Sequence, residues 1–290
     1  GIRFSAVVQL ILTIVLFGGI FAYALPGLAI LQVENFTPFF GRGVAGMLLI
    51  IPLNFLGFMG YDILPQAAQE VNAPIRKMVF VIPLSIFFVF IAYLVVTITN
   101  AGVVPWEQVA KSTDPLPIGI VATKLLGPTG PQILVFAGLA GLITTLNGFV
   151  VGASRLIMAM AKDRELPPFF ADVNKRFGVP HWAIIFVGVL GIIGSFAPQL
   201  IVLFDTAASA VLVTYIMTAI AVMMLRRKEP NAERPYKMPG GPAIPILALV
   251  GTIPTFAISL LILTNEARIV FVAWMVIGIL YYLIFRRKQA

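Results

Sequence analysis

Residues 43–71 read GVAGMLLIIPLNFLGFMGYDILPQAAQEV. The stretch is apolar enough to cross a bilayer, yet Pro52, Gly57, Gly60 and Pro65 interrupt it, and Asn54 and Asp62 sit among apolar neighbours. Glycine weakens a helix interior, and Pro65 has no N–H to donate to the carbonyl of Tyr61. An unsatisfied backbone group costs several kcal/mol in hydrocarbon, so a broken helix persists only where it lines a cavity or is covered by protein. A break centred on Gly60-Tyr61-Asp62 therefore predicts a polar cavity at mid-membrane depth. The plainer alternative is a proline kink held by neighbouring helices. In membrane carriers, such breaks present helix ends and free carbonyls to a substrate or coupling ion.

The rest of the chain supports a membrane setting. Of 290 residues, 60% are hydrophobic and only 11% are charged, with a mean hydropathy of +1.00. A soluble domain carries about 25% charged residues, so this chain lacks the polar surface to cover a globule in water. There is no cysteine and a single histidine, His181. Thiolate metal sites, disulfides and histidine relays are thereby excluded. His181, at a loop-to-helix boundary, reads as a surface residue. The chain opens on Gly1 with no signal peptide ahead of its first span, and so reads as starting inside a longer protein.

Eight spans of about the length a bilayer needs are predicted, at 4–31, 43–70, 78–103, 132–161, 182–197, 200–225, 243–264 and 269–286. If they alternate, sixteen of the 20 Lys and Arg fall on one side, against Arg42, Lys111, Lys124 and Arg268 on the other. The basic-rich side is expected to be cytoplasmic, which puts both ends of the chain there. The net charge of +8 then reads as a topology signal beside anionic lipid, and not as a nucleic-acid patch. Residues 104–131 are expected to form an external segment with a short helix over the mouth. Residues 226–242 form a charged, proline-rich linker.

Phe58-Met-Gly-Tyr-Asp62, followed by Gln69-Glu70 and Asn72-Ala-Pro74, resembles the sixth helix of the amino acid–polyamine–organocation superfamily. Ala153-Ser-Arg155 through Lys162-Asp163 and Leu166-Pro167 resembles its eighth helix and exit. Arg226-Arg-Lys-Glu-Pro230 and Arg234-Pro-Tyr-Lys-Met-Pro239 resemble the linker after its tenth, and Gly1 to Thr13 the start of its fifth. The likeness runs through the whole chain in order. It implies an all-α membrane protein with a partial leucine-transporter-like inverted-repeat fold, of which this chain holds eight transmembrane helices. Residues 1–42 would be the last helix of the first repeat with an external loop. Residues 43–226 would be the second five-helix repeat, and 227–290 the cytoplasmic linker with two peripheral helices. The first four helices, which carry half of the substrate site in this family, would be missing partners.

The same resemblance implies a secondary transporter of the cell membrane, by symport or exchange, moving an amino acid or related amine by alternating access. The alternative is an amino-acid-sensing or accessory membrane protein on the same fold. Neither reading is an enzyme; no paired-carboxylate, histidine or cysteine constellation is present for one. No cofactor or structural metal is expected, and sodium or a proton would be the coupling ion.

Carried over residue by residue, Phe58, Met59 and Gly60 match an unwound segment whose carbonyls receive the substrate ammonium. Phe58 also matches a gating aromatic, or else is a lipid-facing or core ring. Tyr61 and Asp62 open the second half-helix, where Asp62 either caps it, as a carboxylate suits a helix N-terminus, or handles substrate or protons. Asn147 is a substrate-binding candidate. Thr144 and Thr145 are candidates for a sodium site, or bond back to their own helix. Asp205 is an outer gate or a helix cap, and Tyr215 lines the cavity or packs on a neighbour. Glu70 and Arg155 are candidates for an inner gate or structural tie. The position matching a lysine found in sodium-independent members is Leu16, which favours sodium coupling or uncoupled exchange.

Overall fold

The computed structural model describes residues 2–66, 75–113, 117–197, 199–234, 236 and 238–286. Eleven α-helices occur among them: α1 Ile2–Leu28, α2 Gly43–Gly57, α3 Ile63–Gln66, α4 Ile75–Val103, α5 Trp106–Ala110, α6 Ile118–Leu126, α7 Gly130–Lys162, α8 His181–Ser195, α9 Leu200–Lys228, α10 Ala243–Ile262 and α11 Asn265–Arg286. No strand is present among the described residues, only an isolated bridge between Asn174 and Val179.

Six stretches are long and apolar enough to cross a membrane; they are supplied by α1, α4, α6–α7, α9, α10 and α11. The other two predicted spans resolve into shorter helices. α2 and α8 have 15 residues each. At 1.5 Å per residue each reaches about 22 Å, less than the ~30 Å hydrocarbon core. In the second span the helix ends at Gly57 and resumes at Ile63 as α3, described as far as Gln66. The expected external segment holds two helices, α5 and α6, rather than one.

The outward faces are apolar. Leu142 is 68% exposed and Leu261 77%, which suits lipid as the surrounding solvent. The chain is a multi-pass integral membrane protein. With apolar surface on both sides of each contact, helix association depends on close packing and interhelical hydrogen bonds. Both devices are present. α1 lies along α7, where Gly19 sits so close to Ala137 that an added Cβ would stand 2.6 Å from the alanine methyl. Further along the same seam Leu16 packs against Gly141. α1 and α4 are tied by the Thr99 hydroxyl, which donates to the Ala24 carbonyl at 2.8 Å, and by a bond from the Tyr23 hydroxyl to Asn100.

The C-terminal end of α4 is clamped by three donors. Lys124 Nζ reaches the Val103 carbonyl at 2.7 Å, while Asn35 Nδ2 and the Gln32 N–H reach the Gly102 carbonyl at 2.8 and 2.9 Å. Terminal carbonyls lack partners within their helix, and a cation there also suits the helix dipole. Tyr23, Ala24, Val103, Val104, Val121 and Ala122 form the main buried cluster around this corner.

α6 turns into α7 at Gly130, where an added Cβ would lie 2.1 Å from the Ala122 carbonyl oxygen and 2.6 Å from its carbon. Those are backbone atoms and cannot rotate aside. Gly130→Ala is expected to destabilise the protein by about 1–3 kcal/mol, as overpacking does. The check is a thermal unfolding curve in detergent, which should move to lower temperature.

Candidate functional site

α2 unwinds over Phe58–Asp62. Phe58 and Met59 donate their N–H groups to the carbonyls of Phe55 and Leu56, at 3.1 Å each, in tightened final turns. Gly60 then takes φ = +112°, a conformation side chains oppose. Asp62 holds the turn: its Oδ1 accepts the Gly60 N–H at 3.0 Å, and its Oδ2 accepts from Gln66 Nε2 at 3.5 Å. With Pro65 unable to donate, the Tyr61 carbonyl accepts instead from Leu64 N–H at 3.3 Å. The carbonyls of Phe58 and Met59 accept no hydrogen bond among the described residues.

This break borders a cavity of about 810 Å³, within the size range of small-molecule sites. Its floor is the break itself, from Gly57 to Tyr61. Leu53 and Leu56 of α2, Leu64 of α3, Ser85, Ile86, Val89 and Tyr93 of α4, Thr145 and Phe149 of α7, and Phe204 and Ala207 of α9 also line the cavity. Among the described residues the polar side chains in the lining are the hydroxyls of Tyr61, Ser85, Tyr93 and Thr145. Such a cavity is bordered by Phe58 and Met59, whose carbonyls accept no hydrogen bond among the described residues, and by mostly apolar side chains. A bound ammonium can use up to three acceptors.

The structure brings some of the candidates together and separates others. Phe58, Met59, Gly60, Tyr61 and Thr145 line the cavity. The Phe58 ring stands edge-on to Tyr93, with centroids 5.2 Å apart. Thr144 is buried and its hydroxyl donates to the Gly141 carbonyl at 2.8 Å. Asn147 does not line the cavity; it faces α1 and donates to Gln9 Oε1 at 2.9 Å, while Gln9 Nε2 donates to the Thr144 carbonyl at 3.2 Å. Asp62 lies behind the turn it organises.

Asp205 is not among the described lining of the cavity and lies near the backbone of Thr264, between α10 and α11. The neighbouring Thr206 hydroxyl reaches the Ala267 carbonyl at 3.4 Å. Arg155 is buried, bonds the Val151 carbonyl at 3.3 Å and Ser154 Oγ at 3.4 Å, and borders a separate cavity of about 300 Å³ with Pro65, Gln66 and Lys162. Glu70 lies outside the described residues. Tyr215 packs on neighbours, its ring stacked on Tyr61 at 5.7 Å and edge-on to Phe55 at 5.6 Å. His181 opens α8 half-buried, 5.0 Å from Trp182, rather than on the surface.

α3 docks on α7 over two glycines. A Cβ on Gly152 would lie 2.5 Å from Gln66 Oε1 and 3.0 Å from Ile63, and one on Gly148 3.3 Å from Ile63. Two polar residues with defined roles here escaped sequence reasoning, Gln9 and Tyr93. A signal for Tyr93 did exist: Ser85, Val89 and Tyr93 recur at four-residue spacing on an otherwise apolar helix, a single face.

The amino acid permease family model matches residues 1–285. Among curated proteins, a branched-chain amino acid permease of Bacillus subtilis (strain 168) is 28% identical over 89% of this chain and 54% of its own length. A methylthioribose transporter of the same organism is 26% identical over 93% of this chain and 57% of its own. The vacuolar cationic amino acid transporter 2 of Arabidopsis thaliana is 28% identical over 68% of this chain and 31% of its own. The chain thus spans about half the length of the first two of these relatives, and less of the third.

Proposed function

The chain belongs to the amino acid permease family, and from that premise we propose that the complete protein is a secondary transporter of an amino acid or related amine. It works by symport or exchange with alternating access, and not as an enzyme. The substrate ammonium is received at the break between α2 and α3 by the Phe58 and Met59 carbonyls, with Phe58 as the gating ring. The observation that carries this reading is the unwound turn at Gly60, beside Phe58 and Met59, which line a cavity walled by α4, α7 and α9 and whose carbonyls accept no hydrogen bond among the described residues.

Helices outside this chain complete the site and bind the carboxylate. Residues 43–226 act as one repeat, with 1–42 closing the preceding one and 227–290 peripheral. The protein sits in the cell membrane with both ends of this chain cytoplasmic, an orientation that the excess of Lys and Arg on that side supports. If transport is by symport, sodium or a proton is the coupling ion. A sodium ion needs oxygen lone pairs, which both threonines on α7 retain: Thr144 donates its proton to Gly141 and keeps its lone pairs, and Thr145 faces the cavity.

The test is uptake by the complete protein in proteoliposomes, with labelled amino acids and amines under imposed sodium and proton gradients. Accumulation of at least one amino acid is expected. Failure to take up or exchange any of the panel rejects the proposal. Acceleration by one gradient alone identifies the coupling ion.

A further inference from the structure

α4 supplies one wall of the cavity, and Tyr93 is the residue through which it reaches the break. The Tyr93 hydroxyl donates to the Gly57 carbonyl at 2.6 Å. Gly57 is the last residue of α2, so its carbonyl is among those left without an intrahelical partner. The nearest atoms to a Cβ built on Gly57 are the Tyr93 hydroxyl at 3.5 Å and ring carbons just beyond. These are ordinary van der Waals distances, so Tyr93 is the neighbour on which a side chain at 57 would pack. The same tyrosine ring presses edge-on against Phe58. One side chain thus fixes the last helical carbonyl and the first unwound side chain.

We propose that Tyr93 is a positioning residue for the substrate site. By holding the Gly57 carbonyl it removes that group as a competing acceptor and sets the plane from which the Phe58 and Met59 carbonyls emerge. It also makes α4, which carries no group in the break, a partner in its geometry. Tyr93 acts through the backbone it orients and need not touch the ammonium. Its effect on uptake rests on the transporter reading above; its effect on the backbone does not.

The experiment compares Tyr93→Phe with Thr99→Val in the complete protein. Thr99 also ties α4 to a neighbouring carbonyl, that of Ala24, but far from the break along the helix. A net hydrogen bond of about 0.5–1.5 kcal/mol corresponds to roughly a two- to twelvefold change in a local equilibrium. Amide hydrogen exchange over residues 55–62 is therefore expected to quicken about fivefold in Tyr93→Phe and to stay unchanged in Thr99→Val. Uptake by Tyr93→Phe should show a roughly fivefold higher KM with a maximal rate within about twofold of the parent. Thr99→Val should lower the unfolding temperature and leave KM alone.

Unchanged exchange over 55–62 in Tyr93→Phe overturns the assignment, whatever the uptake. Faster exchange with an unchanged KM also overturns it, because the hydroxyl would then order backbone without orienting a binding group. If the parent protein transports nothing, the transporter reading fails, and exchange alone decides whether Tyr93 holds the break.

Discussion

Gly60→Leu in the complete protein is expected to bring uptake down to background. Gly60 sits at φ = +112°, and a Cβ added there meets nothing within 4 Å. Space is therefore not the obstacle; backbone conformation is. A side chain forced into such a region costs of order 1–3 kcal/mol, which the chain can escape by rotating into a helical φ. That rotation withdraws the Gly60 N–H from Asp62 and carries the Phe58 and Met59 carbonyls out of their present directions. Because the effect lies in the backbone, Gly60→Ala should fail nearly as badly, by about tenfold or more in initial uptake rate. Near-normal transport by the alanine variant would mean that side-chain bulk, and not the left-handed turn, sets the requirement. The measurement is initial-rate uptake, with protein incorporation matched by immunoblot.

The second large effect is expected on the other side of the break. Gly152→Leu places a branched side chain where Gln66 Oε1 and Ile63 already stand within about one atom's width of the α7 backbone. The Gln66 amide can swing aside, which would withdraw it from Asp62, but a leucine would also press on Ile63, which stands 3.0 Å from an added Cβ and seats α3 on α7. Overpacking of this kind costs about 1–3 kcal/mol, occasionally more. Uptake should fall at least about tenfold, and the unfolding temperature should drop together with it. Gly138, which has nothing within 4 Å of its added Cβ, is the control on the same helix, and Gly138→Ala should leave stability and uptake close to the parent. A Gly152→Leu protein that transports normally would show that α3 does not need its seat on α7.

Much of this architecture could be read before the structure. Gly60 and Pro65 identify the break because their effects are local: one lacks a Cβ and the other an N–H, whatever surrounds them. The long apolar runs identify the helices for the same reason. What remained hidden depends on which way a face turns. Asn147 and Thr145 lie two residues apart on α7, yet one reaches across to Gln9 and the other borders the cavity. The choice is made by α1 packing on that side of α7, which no periodicity on α7 records. Asp205 is a residue away from cavity-lining Phe204, but it lies near Thr264 between α10 and α11, and those helices' position is not written on α9. The shortness of α2 was equally invisible to hydropathy, which counts Phe58 and Met59 as membrane residues whether or not they are helical.

The ring of Tyr215 touches Phe55 near the end of α2 and Tyr61 within the break. A hinge spanned in this way does not bend freely: it works as a splinted joint, with α9 as the splint and the tyrosine ring as its fulcrum. Any swing of α3 relative to α2 has to slide Tyr61 across that ring or carry α9 along with it. α10 and α11 both pack on α9, and α10 packs on α2 as well, so these two helices become ballast on the joint. Their packing sets how stiffly it moves, although neither lines the cavity among the described residues.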